Sequence, residues 1–101
     1  MQKVWLDDER QAPEGWLHIT SASAVIGMLK QGRVGEMSLD HDLGLEYETG
    51  YDVLTWIQEQ VFVNNFKPPQ IHIHTANPVA RQHMVNTLER IKILVEKNQD
   101  G

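Results

Sequence analysis

Apolar and polar positions along the chain alternate between two rhythms. Lys3 to Leu6, Met37 to Leu39 and Gln70 to His74 are short stretches that read as strands. The first is apolar without a break, as expected of a strand buried on both faces. Trp16 to Thr20 reads as a further strand with an edge-like character. Helical stretches lie between them. Ala22, Val25, Met28 and Leu29 share one face of a helix over Ser21 to Lys30, with Ser21 or Ser23 as cap and Gly32 closing it. Thr49-Gly50-Tyr51-Asp52 is a capping box that opens a second helix. That helix runs to about Asn64, with Val53 or Leu54, Ile57 and Val61 facing inward and Trp56 on a flank. Asn77 as N-cap and Pro78 at the first helical position open a third. Its stripe of Met84, Leu88, Ile91 and Val95 continues to about Lys97, and Asn98 to Gly101 are expected to fray.

The order of these elements predicts an α/β fold with a mostly parallel sheet and right-handed crossovers. The first and third strands in sequence are expected side by side at its centre. The stretch between Leu6 and Trp16, with its turn at Pro13 and Gly15, is too short for a helical crossover of about a dozen residues. The helix that ordinarily follows a first parallel strand is therefore missing, which leaves the direction of the second strand open. Pro68-Pro69 fixes an extended entry to the last strand.

Three of the strands end in chemistry. Leu6 runs into Asp7-Asp8-Glu9-Arg10, Leu39 into Asp40-His41-Asp42, and Ile73 into His74-Thr75-Ala76-Asn77. Gly44 releases the chain after the second of these, and the acidic loop Leu45 to Glu48 falls where a lid over a site would sit. Ligands of open α/β sheets bind outside the carboxyl ends of the strands. Buried charge is costly unless paired or bound to something. One such ending reads as a solvated turn; three together predict one constellation. Among the other histidines, His18 is expected in a surface or half-buried structural role. His72, on the same strand face as His74, is expected as a packed core residue. Arg81 sits in the first turn of the last helix, where a cation opposes the macrodipole, which points to a task such as meeting a phosphate. Capping explains Asn77 fully, although an N-cap at a strand tip can also touch a ligand.

The 101 residues, 41% of them hydrophobic, suffice for one domain with a modest core. A net charge of −5 argues against a surface that coats nucleic acid, double-stranded nucleic acid included. It leaves room for a small phosphorylated ligand held by a few cations. There is no cysteine, which excludes disulfides, thiolate chemistry and Cys-based zinc sites. No apolar run approaches the roughly 18 residues of a membrane span. With no charged and apolar leader at the N-terminus, a cytoplasmic protein away from membranes is expected.

Leu6-Asp7-Asp8-Glu9 is similar to the acidic end of the first strand in response-regulator receiver domains. Asp40 falls where the receiver's phosphoacceptor falls, and Thr75 where its Ser/Thr falls. The chain departs from that pattern in lacking the first helix and the fifth strand with its lysine. It resembles more closely the cyclic-phosphate processing receiver domains. That likeness runs through Leu6 to Arg10, Ser38 to Gly44, Thr49 to Asp52 and His74 to Pro78. The resemblance implies a small receiver-like, flavodoxin-like three-layer sandwich of about four strands and three helices, acting on a cyclic phosphate.

Clustered carboxylates repel one another unless a proton or a cation sits between them. Hard oxygen donors favour a divalent metal, with Mg²⁺ or Mn²⁺ expected. Asp8 and Asp40 are expected to hold that ion, with Asp7 and Asp42 in support. His74 or His41 serves as general acid or base beside Asp40. Arg10 and Arg81, with Asn77 and Thr75, hold phosphate oxygens. A metal-dependent hydrolase of a cyclic phosphate, such as a cyclic nucleotide, follows. A non-catalytic module that sequesters such a ligand and a phosphoaccepting receiver using Asp40 are the alternatives.

Overall fold

Alternating burial along the strands decides the architecture. A computed structural model describes residues 1–40 and 50–100. Its elements are β1 (Gln2–Leu6), β2 (Leu17–Ile19), α1 (Ala22–Lys30), β3 (Val34–Leu39), α2 (Gly50–Asn64), β4 (Gln70–Ile73) and α3 (Pro78–Asp100). The four strands make one parallel sheet in the order β2-β1-β3-β4. The expected central pair, β1 and β3, is in place. The direction of β2, open in the sequence, is parallel to β1, with His18 opposite Trp5.

Val4 and Leu6 of β1 and Met37 and Leu39 of β3 are buried in one cluster with Val25 of α1, Leu54 and Ile57 of α2, and Met84 and Ile91 of α3. All three helices therefore pack on one face. Handedness explains this. The crossovers from β2 to β3 and from β3 to β4 advance the same way across the sheet, so both lie on the same side. Only the step from β1 to β2 runs backwards, and its link carries no helix. The four parallel strands, the three helices and the missing first helix are as expected of a receiver-like α/β fold. Among the described residues the three helices share one face of the sheet, and the missing helix is the one that handedness would have put on the other.

That second face holds alternate strand residues: Lys3 and Trp5, His18, Glu36 and Ser38, Gln70 and His72. His72 corrects an expectation. It is exposed rather than packed in the core, with Nε2 2.6 Å from Glu36 Oε2. Ile71 and Ile73 point to the helices, so alternation sends His72 the other way.

The helix ends follow their local chemistry. Ser21 is the cap of α1, its Oγ accepting the Ala24 N–H at 3.3 Å. Gly32 has φ +69 just beyond the helix. Val53 and Leu54 of α2 are both fully buried, and Trp56 packs edge-on against Phe66. Gly50 abuts the end of β3 so closely that a Cβ there would overlap the Asp40 carbonyl oxygen. The expected cap Thr49, Gly44 and the acidic loop lie outside the described residues. α3 runs past the expected end at Lys97 to Asp100. The Asn98 amide donates to the Val61 carbonyl at 3.0 Å, which ties down a turn expected to fray. Among the described residues no helix is long and apolar enough to cross a membrane.

Candidate active site

Three strand ends arrive side by side. Leu6 pairs with Leu39 and Leu39 with Ile73. The ladder continues one step, the Asp40 N–H donating to Leu6 O and the His74 N–H to Leu39 O, each at 3.0 Å. Asp7, Asp40 and His74 thus stand in one row, and alternation turns them to the face that carries Trp5 and Ser38. One ligand-capable atom from each lies within 4.8 Å of the others.

Asp7 is fully buried. Its Oδ1 accepts the backbone N–H groups of Glu9 at 2.8 Å and Arg10 at 2.9 Å, and its Oδ2 lies 3.1 Å from His74 Nε2. Burial pushes against the charge, but these donors outweigh it and hold the carboxyl below its ordinary 3.8. For His74, burial is the largest influence and pulls the imidazole below its ordinary 6.5; Asp7 and Asp40 pull the other way, and Arg10 sides with burial. The ring is therefore neutral near pH 7. An ionised Asp7 can only accept, which assigns the ring proton to Nε2. Nδ1 then accepts the Ser38 hydroxyl at 2.7 Å. The ring also lies flat on Trp5, centroids 3.8 Å apart and planes within 7°. An acid, a hydroxyl and an indole together fix its place.

The two arginines meet at the tip of β4. Arg10 Nη1 donates to the His74 carbonyl at 3.3 Å and Arg81 Nη1 to the Ile73 carbonyl at 2.8 Å. A guanidinium has five donors, so these contacts anchor both side chains without exhausting them. Thr75 is buried, its Oγ1 accepting the Asn77 N–H at 3.3 Å. Asn77 caps α3 as expected, its Oδ1 accepting from Val79 at 3.0 Å and Ala80 at 3.1 Å. Exposed His18 places Nε2 2.6 Å from the Asp7 carbonyl and steadies the turn after β1, a structural role like the one expected.

The grouping differs from the sequence reading in its acids. The sequence pairs Asp8 with Asp40 for the cation and leaves Asp7 in support; the structure gathers Asp7 with Asp40 and His74. Asp8 joins no group of that kind among the described residues. It stands where the chain has left the strand and bends, the turn being closed by the Asp7 Oδ1 accepting the N–H groups of Glu9 and Arg10. His41 and Asp42 lie outside the described residues. Ser38 and Trp5 were not singled out as site residues. Their signal was parity: each stands two positions before a member of the row. Asp7, Asp40 and His74 are the described residues able to hold a cation together, and two carboxylates with one imidazole suit Mn²⁺ as well as Mg²⁺. A groove of about 580 Å³ runs between α2 and α3 past Tyr51, Phe62, Arg90 and Ile93 and touches none of this row.

A parallel α/β sheet without a first helix, carrying an acid-and-histidine row at its carboxyl edge, defines a receiver-like domain with a polar site at the strand tips. The chain belongs to the Cyclic-phosphate processing Receiver domain family, whose model matches residues 2–90, a span that holds the whole row. No curated protein and no solved structure matches the chain significantly.

Proposed function

We propose that this domain is a metal-dependent hydrolase that opens a small cyclic phosphate at the row of Asp7, Asp40 and His74. The observation that carries the reading is the row itself: two acids and a neutral, firmly held imidazole in a family linked to cyclic-phosphate processing. Opening a cyclic phosphodiester adds water across one P–O bond. Hydroxide goes to phosphorus and a proton to the leaving oxygen, so water is the only co-reactant. His74 is placed to carry that proton, because its pKa lies below 6.5 and it is basic at neutral pH. Asp7, 3.1 Å from Nε2, stabilises the imidazolium that forms. Arg10 and Arg81, pinned to the tip of β4, present guanidinium groups to the phosphate oxygens. Asp7 and Asp40 would hold the cation, which when bound polarises a phosphoryl oxygen and acidifies water.

One observation favours a second reading. Both nitrogens of His74 and both oxygens of Asp7 are engaged within the protein. A cluster so fully satisfied also suits a module that holds a cyclic phosphate without opening it.

Turnover separates the two. Wild type is incubated with 2′,3′- and 3′,5′-cyclic phosphates and Mg²⁺ or Mn²⁺, and products are read by mass. His74→Gln is expected to lower kcat by roughly 10²–10⁴-fold, while Arg81→Ala raises KM. If His41→Gln is inactive and His74→Gln is not, the proton-transfer role moves to His41. Tight binding with unchanged ligand after long incubation with each metal leaves the binding module standing and the hydrolase refuted.

A further inference from the structure

Parallel sheets are ordinarily covered on both faces. Here the bare face is covered in part by Trp16, from the link ahead of β2. Its ring stands edge-on to Trp5, centroids 6.0 Å apart at 78°, and 6.4 Å from His72 at 67°. Trp5 lies flat against His74 in turn. Rings therefore run without a break from the site row down the bare face. Trp16 is only half-buried, and Lys3 Nζ sits over its ring, 5.7 Å from the centroid. A tryptophan serving as a plug would spend its flat faces on apolar neighbours. This one meets Trp5 and His72 at steep angles, and what lies over its ring is the mobile end of a lysine, which an arriving aromatic base can displace.

Resting on the hydrolase reading, we infer that the substrate is a nucleoside cyclic phosphate whose base stacks on Trp16 while its phosphate meets Asp7, Asp40 and His74. A half-exposed indole beside a phosphate site is the platform that planar bases use. The spacing agrees. Trp16 touches Trp5 and His72, which stand two residues before Asp7 and His74, a step of about 7 Å along a strand. One nucleotide spans that step, whereas a cyclic phosphate of glycerol has nothing to place on the indole. Lys3 adds a cation for an anionic ligand. Glu36 and His72, joined at 2.6 Å, border the platform with polar groups for a base edge. The net charge of −5 argues against a long polyanion, which makes a mononucleotide the ligand to test.

The test compares a nucleoside 2′,3′-cyclic phosphate with glycerol 1,2-cyclic phosphate on the full chain with Mn²⁺, for wild type, Trp16→Ala, Trp16→Phe and Trp16→Leu. Stacking of a base on an aromatic side chain is worth a factor of roughly 5 to 150 in affinity. Trp16→Ala is expected to raise KM for the nucleoside substrate by that factor with kcat little changed. Trp16→Phe recovers most of it. Trp16→Leu, which still covers the sheet but has no π face, does not, and it keeps the comparison alive if the alanine variant fails to fold. The base-free substrate responds to none of the three. If ligand binds without turnover, Kd is read in place of KM. Equal losses for both substrates, or full affinity in Trp16→Leu, overturn the stacking platform and leave the hydrolase reading intact. No binding and no turnover of either substrate by wild type overturn both.

Discussion

Replacing Asp7 by Asn isolates what its charge contributes. The side chain is fully buried, and its oxygens receive two backbone N–H groups and the His74 Nε2–H. In Asp7→Asn the amide oxygen keeps the two backbone donors. The amide nitrogen faces His74, which can shift its proton to Nδ1 and donate to Ser38 instead. Shape and hydrogen-bond count are preserved, and charge alone is lost. A hydrogen bond to a charged group exceeds a neutral one by about 1 kcal/mol, so three amount to about 3 kcal/mol. Relief from burying a charge offsets part of this and leaves a net cost of about 1–2 kcal/mol. For a domain of this size that lowers Tm by roughly 4–16 °C. The sign with pH follows from the lowered pKa. The folded value lies below the ordinary 3.8, so the contribution is complete above 3.8 and is lost as pH falls through the folded value. Urea denaturation of both proteins at pH 7 and pH 3 checks this, with the midpoint expected to fall at constant slope. The gap should be full at pH 7 and smaller at pH 3. A gap of the same size at both values, or an Asn variant more stable than wild type at pH 7, refutes the reasoning; the latter would mean that repulsion from Asp40 outweighs the donors around Asp7.

Three further outcomes are expected. Mn²⁺ should raise Tm, by the equivalent of about 2.7 kcal/mol at a hundredfold excess over Kd; Asp40→Asn should abolish the rise, and equal rises in both proteins would remove the metal from the site. Gly50→Ala should destabilise by about 1–3 kcal/mol and weaken the Mn²⁺ response, because the new methyl overlaps the Asp40 carbonyl and must push that strand end aside; an unchanged urea midpoint would count against so tight an approach. His74 should titrate below 6.5 by NMR. The unfolded chain then takes up the proton first as pH falls, so stability should decline below 6.5 toward the folded value, and His74→Gln should flatten that slope.

Much of the fold was legible because it rests on local signals. Ser21, Asn77-Pro78 and the apolar stripes mark their helices directly, and the short link after β1 announces the missing helix. Layering was harder. It depends on handedness applied to each crossover in turn, and the missing helix removes one layer as well as one element. The candidate site was legible as three strand tips but not as a set of side chains. Adjacent Asp7 and Asp8 look alike in sequence, and only the ladder's continuation through Asp7 and the bend after it separate them. Strand parity, applied to β4, moves His72 out of the core. Trp16 carried no period that would send it across the sheet, and Asn98 met its carbonyl partner on α2 only through the packing of two helices. Neither contact is encoded near the residue itself.

The row of Asp7, Asp40 and His74 also bears on kinetics. Its members stand more than thirty positions apart in sequence, and they meet only when β1, β3 and β4 have all paired in register. Contacts of such separation offset their loop-closure entropy only once the strands have paired. A ligand that bridges the row therefore recognises the finished sheet and finds little to hold in the transition state. It should slow unfolding while leaving the folding rate almost untouched. Occupancy would set the lifetime of the folded domain rather than the speed at which it forms.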